Sequence, residues 1–126
     1  MSDRQRLERF LQRAFNGASR EELEAFMHHD IEIVEANSLP FGGMHRGKTA
    51  YFNLVKQVFS SWKNVRVDMH QFIGENETVV ALATLHAERD GKPFSMSIAE
   101  VWQFENGLIR RITPYYHDTA ALFQSI

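Results

Sequence analysis

The sequence predicts an α+β domain, with helices first and long antiparallel strands last. Three observations carry that prediction. Leu7, Phe10, Leu11, Ala14 and Phe15 recur at i, i+3, i+4, i+7 and i+8, the apolar stripe of an amphipathic helix. Asp90-Gly91 and Asn106-Gly107 each separate two long runs of alternating character, which marks two-residue type I′ hairpins. No repeat, linker or low-complexity segment divides the chain, so its 126 residues, 1–126, form one domain large enough for its own core.

The elements follow in order. Asn16-Gly17 ends the first helix. Ser19, with Glu22 three residues on, reads as a capping box for a second helix carrying Leu23, Phe26 and Met27. Ile31, Ile33 and Glu35 alternate with Glu32 and Val34 as a short strand. Residues 37–47, rich in Gly and broken by Pro40, read as a loop, with Leu39, Phe41 and Met44 as a lid that touches ligand. A third helix turns Phe52, Val55, Phe59 and Trp62 inward. Val65, Val67, Met69 and Ile73 then alternate with Arg66, Asp68 and His70 as a strand, and residues 74–76 turn the chain. Asp118 is placed to cap a closing helix that runs to Phe123.

Two type I′ turns fix the strand register. Arg89 then pairs with Lys92, Ala87 with Phe94, Leu85 with Met96, Ala83 with Ile98 and Ala81 with Glu100. Continued without a bulge, the second hairpin sets Arg111 opposite Trp102, Thr113 opposite Glu100, Tyr115 opposite Ile98 and His117 opposite Met96. One face of the central strand is then Phe94, Met96, Ile98, Glu100, Trp102 and Phe104, with Glu100 its one charge. Large side chains there stand beside alanines on the neighbouring strand, an arrangement that leaves room for a cavity. The opposite face, with Val80, Leu82, Thr84, Ser97, Ala99, Val101, Ile112 and Tyr116, is too apolar for open water and reads as an interface. His70 and His86 fall on that outer face, with His86 beside Ser95.

Composition narrows the function classes. The chain is 44% apolar and 24% charged with a net charge of −2, both signs scattered, so no basic stripe suits nucleic acid. No apolar run approaches a membrane span. There is no Cys and no secretory pattern, which fits a cytoplasmic protein. His28-His29 are adjacent, at what reads as a helix end, and no ligand spacing for a metal appears.

Phe-Met-His-His-Asp-Ile-Glu-Ile before the first strand, His-Arg-Gly-Lys-Thr-Ala-Tyr-Phe into the third helix, and Glu-Val-Trp-Gln-Phe-Glu-Asn-Gly-Leu-Ile-Arg-Arg-Ile over the last hairpin give the chain a family resemblance. With the element order, they resemble the NTF2-like superfamily of ketosteroid isomerase, scytalone dehydratase and SnoaL-type polyketide cyclases. The tail Pro-Tyr-Tyr-His-Asp-Thr-Ala-Ala-Leu is most similar to SnoaL-like members. The resemblance implies an NTF2-like cone, a curved antiparallel or mixed sheet wrapped around N-terminal helices, and a homodimer packed through the outer sheet face. Ketosteroid isomerase uses an Asp base with a Tyr and a protonated Asp as donors to the oxyanion. Its base stands at the end of the first strand, which here is Glu35. Its protonated Asp lies nine residues past the hairpin Gly, and nine residues past Gly91 is Glu100. Its Tyr lies on the first helix, where this chain has only Phe10, Leu11 and Phe15. The SnoaL-type cyclases carry acid/base residues toward the last strands, which implies His117 and Asp118.

Glu35 is either a general base raised by apolar surroundings or a strand-end carboxylate in water. Glu100 is either paired with Arg111 or protonated and able to donate to an enolate. His117 is either a proton carrier or a solvent-facing ring. The expected function is a cofactor-independent isomerase, cyclase or dehydratase that removes a proton next to a carbonyl. Its substrate is a small apolar ring or polyketide-like molecule. Glu35, Glu100 and His117 carry the chemistry. Phe10, Phe15, Phe41, Phe52, Val55, Phe59, Met96, Ile98, Trp102, Arg111, Thr113 and Tyr115 line the site. The other reading is a binding or dimerisation module on the same scaffold.

Overall fold

The computed structural model describes residues 1–126, in the order α1 (Asp3–Phe15), α2 (Arg20–Glu24), β1 (Met27–Glu35), β2 (Gly43–Arg46), α3 (Lys48–Ser60), β3 (Lys63–Ile73), β4 (Thr78–Arg89), β5 (Lys92–Glu105), β6 (Leu108–Tyr116) and α4 (Thr119–Gln124). Six strands make one curved, open sheet in the order β2-β1-β6-β5-β4-β3. All neighbours run antiparallel except β1 and β6, which are parallel. No helix is long and apolar enough to cross a membrane.

α1 starts where Ser2 and Gln5 form a reciprocal capping box. Its first turn is tied to the sheet, because the buried Asp3 carboxylate accepts the Glu77 N–H at 2.7 Å and pairs with Arg6 at 2.8 Å. The apolar stripe then lies on the inner face of the sheet, with Leu7 and Phe10 fully enclosed. The Phe10 ring meets Phe26, Tyr51 and Trp102 edge-on, at 5.5, 6.2 and 5.9 Å between centroids.

The first hairpin register stands in every pair, from Arg89 with Lys92 to Ala81 with Glu100. Asp90 and Gly91, like Asn106 and Gly107, all have positive φ, as a type I′ turn requires. The second hairpin departs. Glu105 pairs with Leu108 and Phe104 with Ile109, but Gln103 pairs with Arg111 and Trp102 with Ile112. Arg110 is therefore an extra residue, a β-bulge in β6. A shift of one residue exchanges the two faces of the strand beyond it. Ile112, Pro114 and Tyr116 turn inward, whereas Arg111, Thr113 and Tyr115 turn outward, the reverse of the expectation. The Glu32 carboxylate, on the outer face of β1, takes Arg111 Nη2 at 2.8 Å, Arg110 Nη1 at 3.1 Å and Arg46 Nε at 3.2 Å.

Four further expectations change. The second helix is a single turn, and Met27 with His28 and His29 opens β1 instead, because the Phe26 carbonyl already accepts the Ile109 N–H at 2.9 Å. The segment 37–47 is not a lid: Leu39 and Phe41 are buried in the core, and residues 43–46 are the edge strand β2. Gly42 makes its turn possible, since a Cβ there would strike the Ala36 carbonyl. In β3 a bulge after Met69 sets Phe72 opposite Ala81, leaving Ile73 exposed. In α3 the most buried residue is Leu54. Trp62 lies just past the helix, buried, with its Nε1–H donating to Ser125 Oγ at 2.9 Å.

Candidate active site

A cavity of about 460 Å³ opens between the inner face of the sheet and the helices α1 and α3. α1 supplies Leu11, Ala14 and Phe15, and α3 supplies Tyr51, Leu54, Val55, Val58 and Phe59, with Trp62 beyond it. Val65, Val67, Met69 and Leu85 come from β3 and β4, and Ile98, Glu100 and Trp102 from β5. Ile33 and Glu35 of β1 and Ile112, Pro114 and Tyr116 of β6 complete the wall. No Lys, Arg or His is among these side chains. Two carboxyl groups thus face an apolar space that holds no cation from the chain.

Glu35, the last residue of β1, is only 6% exposed. The Tyr116 hydroxyl donates to its Oε1 at 2.8 Å. Burial pushes the Glu35 carboxyl up from 4.5 to about 7, against the Tyr116 hydrogen bond, and the charge of Glu100 adds to the rise. Glu100 stands at mid-strand on β5, and the surface it keeps faces the cavity. Burial pushes its carboxyl up to about 7 as well, opposed by Trp102, whose Nε1–H donates to Oε1 at 3.3 Å. Burial also raises both tyrosines: Tyr51 with help from the Glu100 charge, and Tyr116 with help from Glu35 and then Glu100. Near neutral pH both hydroxyls are therefore intact donors.

Of the two open outcomes for Glu100, the Arg111 pair is absent, because the bulge sends Arg111 to Glu32. Hydrogen bonding to Arg111 first, then to Arg110, holds Glu32 below the usual carboxylate range. Glu35 does not point into open water. His117 is exposed past the end of β6, where its backbone N–H donates to the Ser97 carbonyl at 2.9 Å, and it does not line the cavity. Asp118 caps α4, its Oδ1 accepting the Ala121 N–H at 3.0 Å.

Phe15, Val55, Phe59, Ile98 and Trp102 do reach the cavity. Phe10, Phe41 and Met96 are packed in the core around it instead. Phe52 lies to the side, under the Arg20 guanidinium 4.8 Å from its ring centroid. Tyr115 is 61% exposed on the outer face, beyond Thr113. His86 stands beside Ser95 on that face as expected, its Nδ1 2.9 Å from the serine oxygen.

Sequence reasoning passed over Tyr51 and put Tyr116 on the outer face, whereas both line the cavity. Tyr51, Leu54, Val55, Val58 and Trp62 keep helical spacing at i, i+3, i+4, i+7 and i+11, as regular a stripe as the one through Phe52. Tyr116 was also legible. Ile109 and Ile112 are three apart, whereas Ile112, Pro114 and Tyr116 are two apart, so one extra residue is needed to keep all four on one face.

A family model described as a SnoaL-like domain matches residues 7–112. Among solved structures, an NTF2-like protein from Burkholderia thailandensis superposes with a TM-score of 0.85 at 19% identity, covering 99% of this chain and 97% of its own. A putative SnoaL-like polyketide cyclase from Jannaschia sp. CCS1 gives 0.80 at 12% identity, over 98% and 90% of the two chains. A hypothetical protein of ketosteroid isomerase-like fold from Catenulispora acidiphila, in complex with trimethylamine, gives 0.70 at 19% identity, over 90% and 86%. At these identities the likeness is one of fold. No curated protein matches the chain.

Proposed function

Since the chain belongs to the SnoaL-like domain family and has its α+β cone, we propose that it is a cofactor-independent enzyme of the isomerase, cyclase or dehydratase type. It would act on an apolar ring or polyketide-like carbonyl compound held in the cavity. The observation that supports this reading is the pair Glu35 and Glu100, two carboxyl groups of near-neutral affinity in one apolar space, in different hydrogen-bonding environments.

Glu35 is the base. The Tyr116 hydroxyl stabilises its ionised form and orients it. The carboxylate takes a proton from the carbon next to the carbonyl. The C–H electron pair becomes the enolate double bond, and the carbonyl oxygen gains the negative charge. Glu100 has only the longer Trp102 contact, so it is the group more readily kept protonated, and it donates to that oxygen. Returning the proton from Glu35 to another carbon completes an isomerisation. His117 has no part in this scheme.

Deuterium uptake at the α-carbon of a bound ketone, followed by NMR, tests the reading. Glu35→Gln and Glu100→Gln should each fold and lose the exchange. Unchanged exchange in both leaves only a scaffold that binds apolar ligands, a reading that the greasy lining supports by itself. The outer face, with Val80, Leu82, Ala99, Val101 and Tyr115 all partly open, would pack against a second copy of the chain. Sedimentation as a two-chain species, reduced to one chain by Val101→Glu, is the expected result.

A further inference from the structure

We propose that the cavity takes a hydrophobic ring bearing an ammonium group, with the cation lodged against the Glu35 and Glu100 carboxylates within the aromatic lining of the same wall. The inference narrows the substrate class of the proposed site, and it concerns binding alone, without turnover.

The wall is unusual for what it combines. It presents two carboxyl groups and the rings of Phe15, Tyr51, Phe59, Trp62, Trp102 and Tyr116, but no Lys, Arg or His. Aromatic faces attract cations, and quaternary ammonium ligands are recognised by cages of such rings. The cations that could have neutralised the site are held elsewhere. Arg46, Arg110 and Arg111 converge on Glu32 on the far side of the sheet, the last two brought there by the β6 bulge and Arg46 by its pairing opposite Glu32 across β1 and β2. From α1, β3 and β4 only apolar side chains face the carboxyl groups, and α3 and β6 add the Tyr51 and Tyr116 hydroxyls. Nothing in the chain therefore competes with a ligand cation.

The ligand's charge then decides the protonation state of the site. A neutral apolar ligand expels water and leaves two nearby carboxyl groups dry, which favours their protonated forms. A cation favours their ionised forms and drives proton release. Burial raises each carboxyl to about 7, so this exchange falls in the physiological range.

The test compares two probes of the same shape, phenyltrimethylammonium and tert-butylbenzene, by titration calorimetry from pH 5.5 to 8.5. Neither probe titrates, so any pH dependence belongs to the protein. One coupled proton changes affinity by up to about tenfold per pH unit below the group's pKa. Binding of the ammonium probe should tighten at least about tenfold across the range, with close to one proton released at pH 7. Binding of tert-butylbenzene should stay level or weaken. The Glu35→Gln, Glu100→Gln double variant should bind both probes without pH dependence. An ammonium affinity that is flat with pH in the native protein, or no greater than that of tert-butylbenzene at pH 8.5, overturns the inference whether or not the variant folds. Ketone exchange is measured separately, so flat ammonium binding with exchange intact removes this inference and leaves the proposed reaction standing.

Discussion

Glu100→Gln should make the protein more stable at alkaline pH, although it removes a charged residue from the chain. The replacement keeps shape and volume, and its amide oxygen still accepts the Trp102 N–H that Glu100 accepts at 3.3 Å. What it removes is a charge that the folded state holds at a cost. The folded pKa, about 7, lies above the ordinary 4.5, so Glu100 contributes stability that is present below 4.5 and lost as the pH rises through about 7. At about 1.4 kcal/mol per pH unit, a rise of about 2.5 units costs about 3.5 kcal/mol, nearly all of it felt by pH 8.5, and the partial exposure of the Glu100 side chain lowers this to about 2–3 kcal/mol. At pH 5 the folded carboxyl is protonated, and the difference between variant and native protein is below about 1 kcal/mol. Urea unfolding at both pH values, with unchanged m, measures the two differences. For a domain of this size the alkaline gain corresponds to roughly 10 °C in Tm. An equal change at both pH values, or a loss of stability at pH 8.5, would refute the claim that Glu100 sits in the fold as an unneutralised acid.

Three further outcomes are expected. Tyr116→Phe removes the hydrogen bond that favours ionised Glu35, so the Glu35 pKa rises, and the rising limb of the exchange profile moves up by about one to two pH units; this takes about 1.5–3 kcal/mol for a bond to a charged group. His117→Ala, at an exposed site outside the cavity wall, should leave ketone exchange within about twofold of the native rate, and a loss near that of Glu35→Gln would return His117 to the mechanism. Gly74→Ala places a side chain at φ +102 against the Thr78 carbonyl, between β3 and β4, so stability should fall by about 1–3 kcal/mol in denaturant unfolding with exchange activity retained in the folded fraction.

The fold class, the long helices and the β4–β5 hairpin were legible in the residues alone, because each rests on local chemistry. A stripe at helical spacing specifies one face of α1, and Asp90-Gly91 specifies a turn whose residue count sets every pair of the hairpin. The same arithmetic placed Glu100 on the inner face, and alternation in β1 placed Glu35 beside Ile33. Those positions belong to the strands on which they lie.

Tertiary structure decided which partners these two acids have. Turn chemistry at Asn106-Gly107 begins β6 but does not say where an extra residue is absorbed. Ile109 and Ile112 both gain by facing inward, and Arg110 and Arg111 both meet a buried carboxylate, Glu32, that is 78 and 79 residues away in the chain. That long-range balance puts the bulge at Arg110, turns Arg111 away from Glu100 and brings the Tyr116 hydroxyl to Glu35. Local sequence sets which face a residue would take in an unbroken strand, whereas burial and charge pairing across the sheet determine where the strand is broken.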